Sequence, residues 1–177
     1  MARIKVVIAP DPILNVKSQS VKQEELTEQM RGFIKDMIDT IYTDNAVGFA
    51  AIQFGVPKQI IVIDLQNDDE TERPKGFYPL ILINPTLTYQ SEDMIIAKEG
   101  CMSIPEIRVE VPRPKEVEIK FVDLDFKEHT LKTGGWLARC IQHEMDHLIG
   151  RTLLDYMSTL KKDVSIRKLE KFKRKAL

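Results

Sequence analysis

The chain has 177 residues, with 26 Lys and Arg against 27 Asp and Glu, 43% hydrophobic residues, two Cys and three His. A chain of this size and composition buries a core large enough to fold without disulfides or a structural metal, which excludes disorder as its main state and makes a metal site, where present, a functional feature. The balanced charge hides an asymmetry, because residues 161–177 hold eight Lys/Arg and two Asp/Glu, a basic tail behind an acidic body.

Before Pro10 there are too few apolar residues for the ~7–15-residue core of an export signal, and the longest weakly polar stretch, 46–56, falls far short of the ~20 residues that span a bilayer. The expectation is a cytoplasmic protein without membrane attachment, in which Cys101 and Cys140 stay free thiols. Behind Thr27, a suitable N-cap, Met30, Ile34, Met37, Ile38 and Ile41 recur at helical spacing and predict an amphipathic helix ending near Asp44 and Asn45. The β-branched run 60–65, the segment 80–87 and the alternation of Val117, Ile119 and Phe121 with charged neighbours predict strands, and the polar run 66–76 between the first two a surface loop. A hairpin and loop are predicted over 123–135. Residues 136–149 carry no helix breaker and follow Gly134-Gly135, which predicts a helix, and 158–175 predict a second, basic one. Together these elements imply an α+β fold in a single domain over 1–177, with antiparallel or mixed strands packed around a central helix and a C-terminal helix closing the chain.

The central helix carries His143-Glu144-Met145-Asp146-His147. Positions i and i+4 lie one turn apart on one face, so both imidazoles can reach one metal ion with Glu144 beside them. Two imidazoles leave a catalytic ion short of a third protein ligand. From residue types alone the choice stays open among Cys101, whose Gly100 neighbour permits close backbone approach, Glu170 on the basic helix, and Cys140, which shares a helical face with the histidines. Binding by both cysteines would give a closed Cys2His2 structural centre.

Three stretches, 46–53 (Ala-Val-Gly-Phe-Ala-Ala-Ile-Gln), 99–103 (Glu-Gly-Cys-Met-Ser) and 142–150 (Gln-His-Glu-Met-Asp-His-Leu-Ile-Gly), occur in the order and with the separations of the peptide deformylase motifs, and 9–14 and 104–108 add to the likeness. On these residues the chain resembles the peptide deformylase family across most of 9–155. The resemblance implies one divalent metal ion held by Cys101, His143 and His147, Fe(II) by kinship although imidazole and thiolate ligands also suit Zn, with Ni possible. It implies that metal-activated water attacks the formyl carbon of an N-terminal formylmethionine, releasing formate, with Glu144 as general base and then acid. It assigns the oxyanion donors to the Gln53 side-chain amide and the Met102 backbone N–H, and places Val47, Gly48 and Arg108 along the substrate backbone. Cys140 becomes a buried neighbour without a bond to the ion. This chain departs from the common pattern at Ala46, where Gly is usual, and at Phe49 and Met102, where Leu is usual. Trp136, one turn before Cys140, is open to two readings, a border of the pocket or a core or rim aromatic without substrate contact.

The expected partners are N-formylmethionyl nascent peptides; for the basic C-terminal helix two readings stand, an amphipathic helix that packs Val164, Ile166 and Leu169 with its lysines facing water, or a contact with ribosomal RNA phosphates, and no DNA or membrane partner is expected. Two rival readings share the helical motif. A zinc endopeptidase would take another third ligand, such as Glu170, and a non-enzymatic structural-zinc module would use both cysteines.

Overall fold

A computed structural model describes residues 3–175. Met1, Ala2, Ala176 and Leu177, the ends of the basic opening and of the basic tail, lie outside the described residues. Helix α1 spans Glu28–Asp44. The Thr27 hydroxyl accepts from the Met30 N–H at 3.3 Å, and Asn45 ends the helix in the left-handed conformation (φ 52°), one of the few residue types that enters it readily. Ile34, Met37 and Ile41 are its buried stripe, as the spacing predicts.

Two antiparallel sheets follow. Strands β1 (Gly48–Ala50), β2 (Ile60–Ile63), β3 (Leu80–Gln90), β6 (Glu116–Val122) and β7 (Glu128–Gly134) form a five-stranded sheet in the order β1-β2-β3-β6-β7. Strands β4 (Met94–Cys101) and β5 (Ile104–Pro114) form a separate hairpin. In β3 the Asn84-Pro85 pair interrupts the ladder, and the β3–β6 register shifts between Ile83 and Thr86 because Pro85 has no N–H to offer. Asn84 compensates at positive φ, its side chain accepting from the Val21 N–H and donating to the Val21 carbonyl.

Helix α2 (Gly135–Leu148) lies against the five-stranded sheet. Leu137, Cys140, Ile141 and Leu148 join Ile61, Ile63, Leu82 and Ile119 in one apolar cluster, while α1 closes the opposite side through a second cluster around Phe49, Val62 and Ile83. The hairpin packs against the N-terminal segment and helix α3 (Thr159–Lys175) in a third cluster that contains Ile104, Val109, Val111 and Leu169. Within α3, Val164 stays 44% exposed, and Ser165 and Leu169 are the buried residues. The α+β class expected from the sequence is the one observed. The hairpin β4–β5, the short β1 and the Gln66–Asp68 turn within the predicted loop are additions to the sequence reading.

Candidate metal centre

His143 and His147 project from α2, and Cys101 closes β4. Their ligand atoms all lie within 4.8 Å of one another, the separations that one ion bound between a sulfur and two imidazole nitrogens requires. Cys101 Sγ is 3.4 Å from His147 Nε2. His143 donates its Nδ1–H to Glu99 Oε2 at 2.8 Å, which leaves Nε2 as the free lone pair. Both rings are buried, and His147 Nδ1 has no hydrogen-bond partner among the described residues. A half-buried thiol beside two buried imidazoles, with donor atoms turned toward one point, is a donor set that fits a divalent cation.

Glu144 is 3% exposed, and its Oε2 has no partner among the described residues. Burial pushes its carboxyl up to about 7, against the opposing charges of His143 and Arg113. Space for it comes from Gly48, where an added Cβ would lie 3.2 Å from Glu144 Oε1 and 3.3 Å from Cys140 Sγ. Any side chain at 48 would therefore crowd the carboxylate.

Gln53 sits in the 3-10 turn Ala51–Phe54 directly after β1 and is 1% exposed. Its Oε1 accepts from the Ala50 N–H at 2.9 Å, so its Nε2 points the other way, 3.1 Å from Ser103 Oγ and 3.5 Å from Cys101 Sγ. The amide donor thus stands beside the Cys101 sulfur.

These groups open into a cavity of about 600 Å³ whose walls include Val47, Gly48, Met102, Arg108, Trp136 and Arg139. Arg108 is exposed at the rim and lies over Gly100, where an added Cβ would come within 3.1 Å of its guanidinium. Trp136 borders the cavity, the first of its two readings. The departures at 46 and 49 are absorbed. Asn45 rather than Ala46 takes the left-handed turn, and Phe49 points into the second core cluster against Phe54, away from the cavity.

Of the alternative ligands, Glu170 is exposed on α3, and neither it nor Cys140 belongs to the cluster. Burial pushes the Cys140 thiol up, which keeps it protonated against Gly48. The third histidine, His129, is half-exposed on β7 and bonded to Asp123.

Sequence reasoning missed the polar groups behind the ligands. Glu99 is 3% exposed and accepts four hydrogen bonds, from Arg113 Nε and Nη2, Arg139 Nη1 and His143 Nδ1. Burial pushes its carboxyl up, but the Arg113 and His143 donors outweigh burial and hold it at about 2. The available signal was an acidic residue two positions before Cys101, and its partners on β5 and α2 become visible only in the fold.

The family model described as polypeptide deformylase matches residues 4–163. The peptide deformylase of Rickettsia typhi is 49% identical over 173 residues, and that of a Wolbachia from Brugia malayi 42% over 177, each alignment covering 98% of both chains. Among solved structures, the peptide deformylase of Ehrlichia chaffeensis in complex with actinonin superposes with a TM-score of 0.89 at 34% identity, covering 98% of this chain and 99% of that one. The Legionella pneumophila enzyme gives 0.85 at 34% identity, covering 98% and 96%.

Proposed function

This chain belongs to the polypeptide deformylase family, metal-dependent hydrolases whose substrates are N-formylmethionyl peptides, and from that premise we propose which of its residues perform each part of the reaction. The observation that carries the reading is the convergence of Cys101, His143 and His147 beside a cavity that Cys101, His143 and Glu144 line. These three residues would hold the ion, Fe(II) by kinship with Zn or Ni as substitutes. A bound divalent ion supplies Lewis acidity, lowering the pKa of water to roughly 7.

Glu144 takes the proton of the attacking water and passes it to the departing amine nitrogen, so that a formyl amide and water become formate and a free amino terminus. Its burial, and an Oε2 without a partner among the described residues, leave it free for that transfer. The Gln53 amide, fixed by the Ala50 N–H, and the Met102 backbone N–H stabilise the oxyanion that develops on the formyl oxygen. The edge strand β1, with Val47 just before it, offers the backbone of Val47 and Gly48 to an extended substrate, a pairing indifferent to side-chain identity, and Arg108, which also lines the cavity, faces the substrate backbone. We assign the whole chain, 1–177, to this one domain and place it in the cytoplasm; no helix among the described residues is long and apolar enough to cross a membrane. The lysines along the exposed side of α3 would meet ribosomal RNA phosphates, and ribosome pelleting at rising salt, with and without 161–177, tests that contact.

Anaerobic purification followed by formate release from formyl-Met peptides, against the same peptides carrying acetyl, tests the activity. Rapid release from formyl and little attack on acetyl is expected; equal attack on both, or cleavage of internal amides, defeats it. Glu144→Gln should lower kcat by roughly 10²- to 10⁴-fold with metal content and melting temperature retained. Loss of metal in that variant would instead make Glu144 part of the ion's binding set.

A further inference from the structure

The β4–β5 hairpin shares no backbone ladder with the five-stranded sheet, and among the described residues the apolar cluster around Ile104, Val109 and Val111 includes no residue of α2. Cys101 nevertheless has to meet His143 and His147 across that joint. What spans it is polar. Arg139, buried on α2, donates from Nη1 to Glu99 Oε1 (2.7 Å) and to the Val111 carbonyl (3.0 Å), and from Nη2 to the Ile95 carbonyl (2.6 Å). One guanidinium therefore grips a side chain and a carbonyl of β4 together with a carbonyl of β5, and Arg139 is also among the residues that line the cavity.

We propose that Arg139 is a positioning residue for the reaction: its planar fork fastens both strands of the hairpin to α2 and sets the separation between the Cys101 sulfur and the two imidazoles. The inference rests on the reading of Cys101, His143 and His147 as metal ligands. Two neighbouring contacts act in the same sense. On the next turn of α2, Gln142 donates to the Pro114 carbonyl, and Asp146 accepts from Arg113 Nη1 at 2.9 Å. Arg113, however, approaches Glu99 from within the hairpin itself, so it holds the carboxylate without fixing the backbone of β4 to the helix. Arg139 alone among these residues reaches backbone on both strands. Its rigid donor geometry serves three acceptors at once, which a lysine ammonium on a flexible stem does not reproduce. Because Glu99 also orients His143, a shift of β4 moves one ligand and turns another.

The test loads purified protein with Co(II) and follows the thiolate-to-cobalt charge-transfer band and the rate of cobalt loss to a chelator, in wild type, Arg139→Met, Arg139→Lys and Ile141→Val. Ile141→Val trims the apolar side of the same helix and serves as the stability control. Arg139→Met is expected to shift the band and release cobalt roughly 10- to 100-fold faster, with kcat lowered and KM little changed. Arg139→Lys should recover part of the loss, and Ile141→Val should leave band and release rate as in wild type. A wild-type band and release rate in Arg139→Met overturn the proposal. If that variant does not fold, wild-type behaviour of Arg139→Lys overturns it instead. A wild type lacking any thiolate band would defeat the metal-ligand reading itself, a result distinct from either.

Discussion

Toward the five-stranded sheet, α2 turns Leu137, Ile141 and Leu148 into a cluster with Ile61, Ile63, Leu82 and Ile119; toward the hairpin it turns Arg139, Gln142 and His143 onto carboxylate and carbonyl oxygens, and Asp146 onto the Arg113 guanidinium. The first contact is non-directional and roughly proportional to buried area, so it holds the helix on the sheet while tolerating small displacements. The second works through directed bonds in a dry environment, where a displaced partner leaves a charge or carbonyl unpaired. Apolar packing can place a helix, but a ligand set drawn from two substructures needs a joint that penalises sub-ångström slippage. The molecule puts that joint where the sulfur must meet the imidazoles.

The comparison breaks most visibly at Glu99, on which both arginines and one ligand converge. Glu99→Gln keeps the shape but removes the anion, leaving Asp146 to face the buried guanidinium of Arg113 and nothing anionic for Arg139. Breaking a buried ion pair from one side costs about 3–5 kcal/mol, a drop in melting temperature on the order of 10 °C for a chain of this length. Chelated, metal-free protein isolates that cost from any loss of metal. A change under about 1 kcal/mol in denaturant melts would show that the joint is not held by its charges.

The elements on the apolar side of α2 were readable because burial writes itself into spacing. Met30 through Ile41 repeat at the helical period, and Val117, Ile119 and Phe121 alternate at the strand period. The hairpin wrote no such pattern. Met94, Ile95 and Ile96 are consecutive, apolar and all exposed, and Pro105, Pro112 and Pro114 argue against a strand until β5 is seen to have a free edge. At the site, His143, Glu144 and His147 announce themselves within one turn, whereas Cys101 lies 46 residues before His147 on another element and was assigned by family likeness alone. Arg113 and Arg139 were invisible as site residues because arginine is ordinarily a surface residue, and what buries these two is a carboxylate that only the tertiary fold brings to them.

On the apolar side the expected effect is smaller and of another kind. Ile141→Val removes one methylene from a fully buried side chain and should cost about 0.5–1.5 kcal/mol, measured by denaturant unfolding, without touching the polar joint. A change in metal release from this variant would erase the distinction between the two faces.

The smallest effect belongs to a polar contact placed where water competes. Tyr42, 41% exposed on α1, donates to the buried Asp64 Oδ2 at 2.6 Å just beyond β2, a bond as short as those in the joint but only part-buried. Burial, and then the Asp64 acceptor and its charge, push the Tyr42 hydroxyl up to about 12. A group whose pKa is raised on folding contributes stability that is complete below its unfolded value, near 10, and is lost as pH climbs through its folded value. Wild type should therefore lose stability between pH 10 and 12 that Tyr42→Phe does not lose, while near pH 7 the two should differ by no more than about 0.5 kcal/mol, as surface changes usually do. Parallel denaturant melts at pH 7 and across pH 10–12 measure both differences. A destabilisation at pH 7 as large as that of Glu99→Gln would mean that bond length, rather than exclusion of water, decides what a polar contact contributes in this fold.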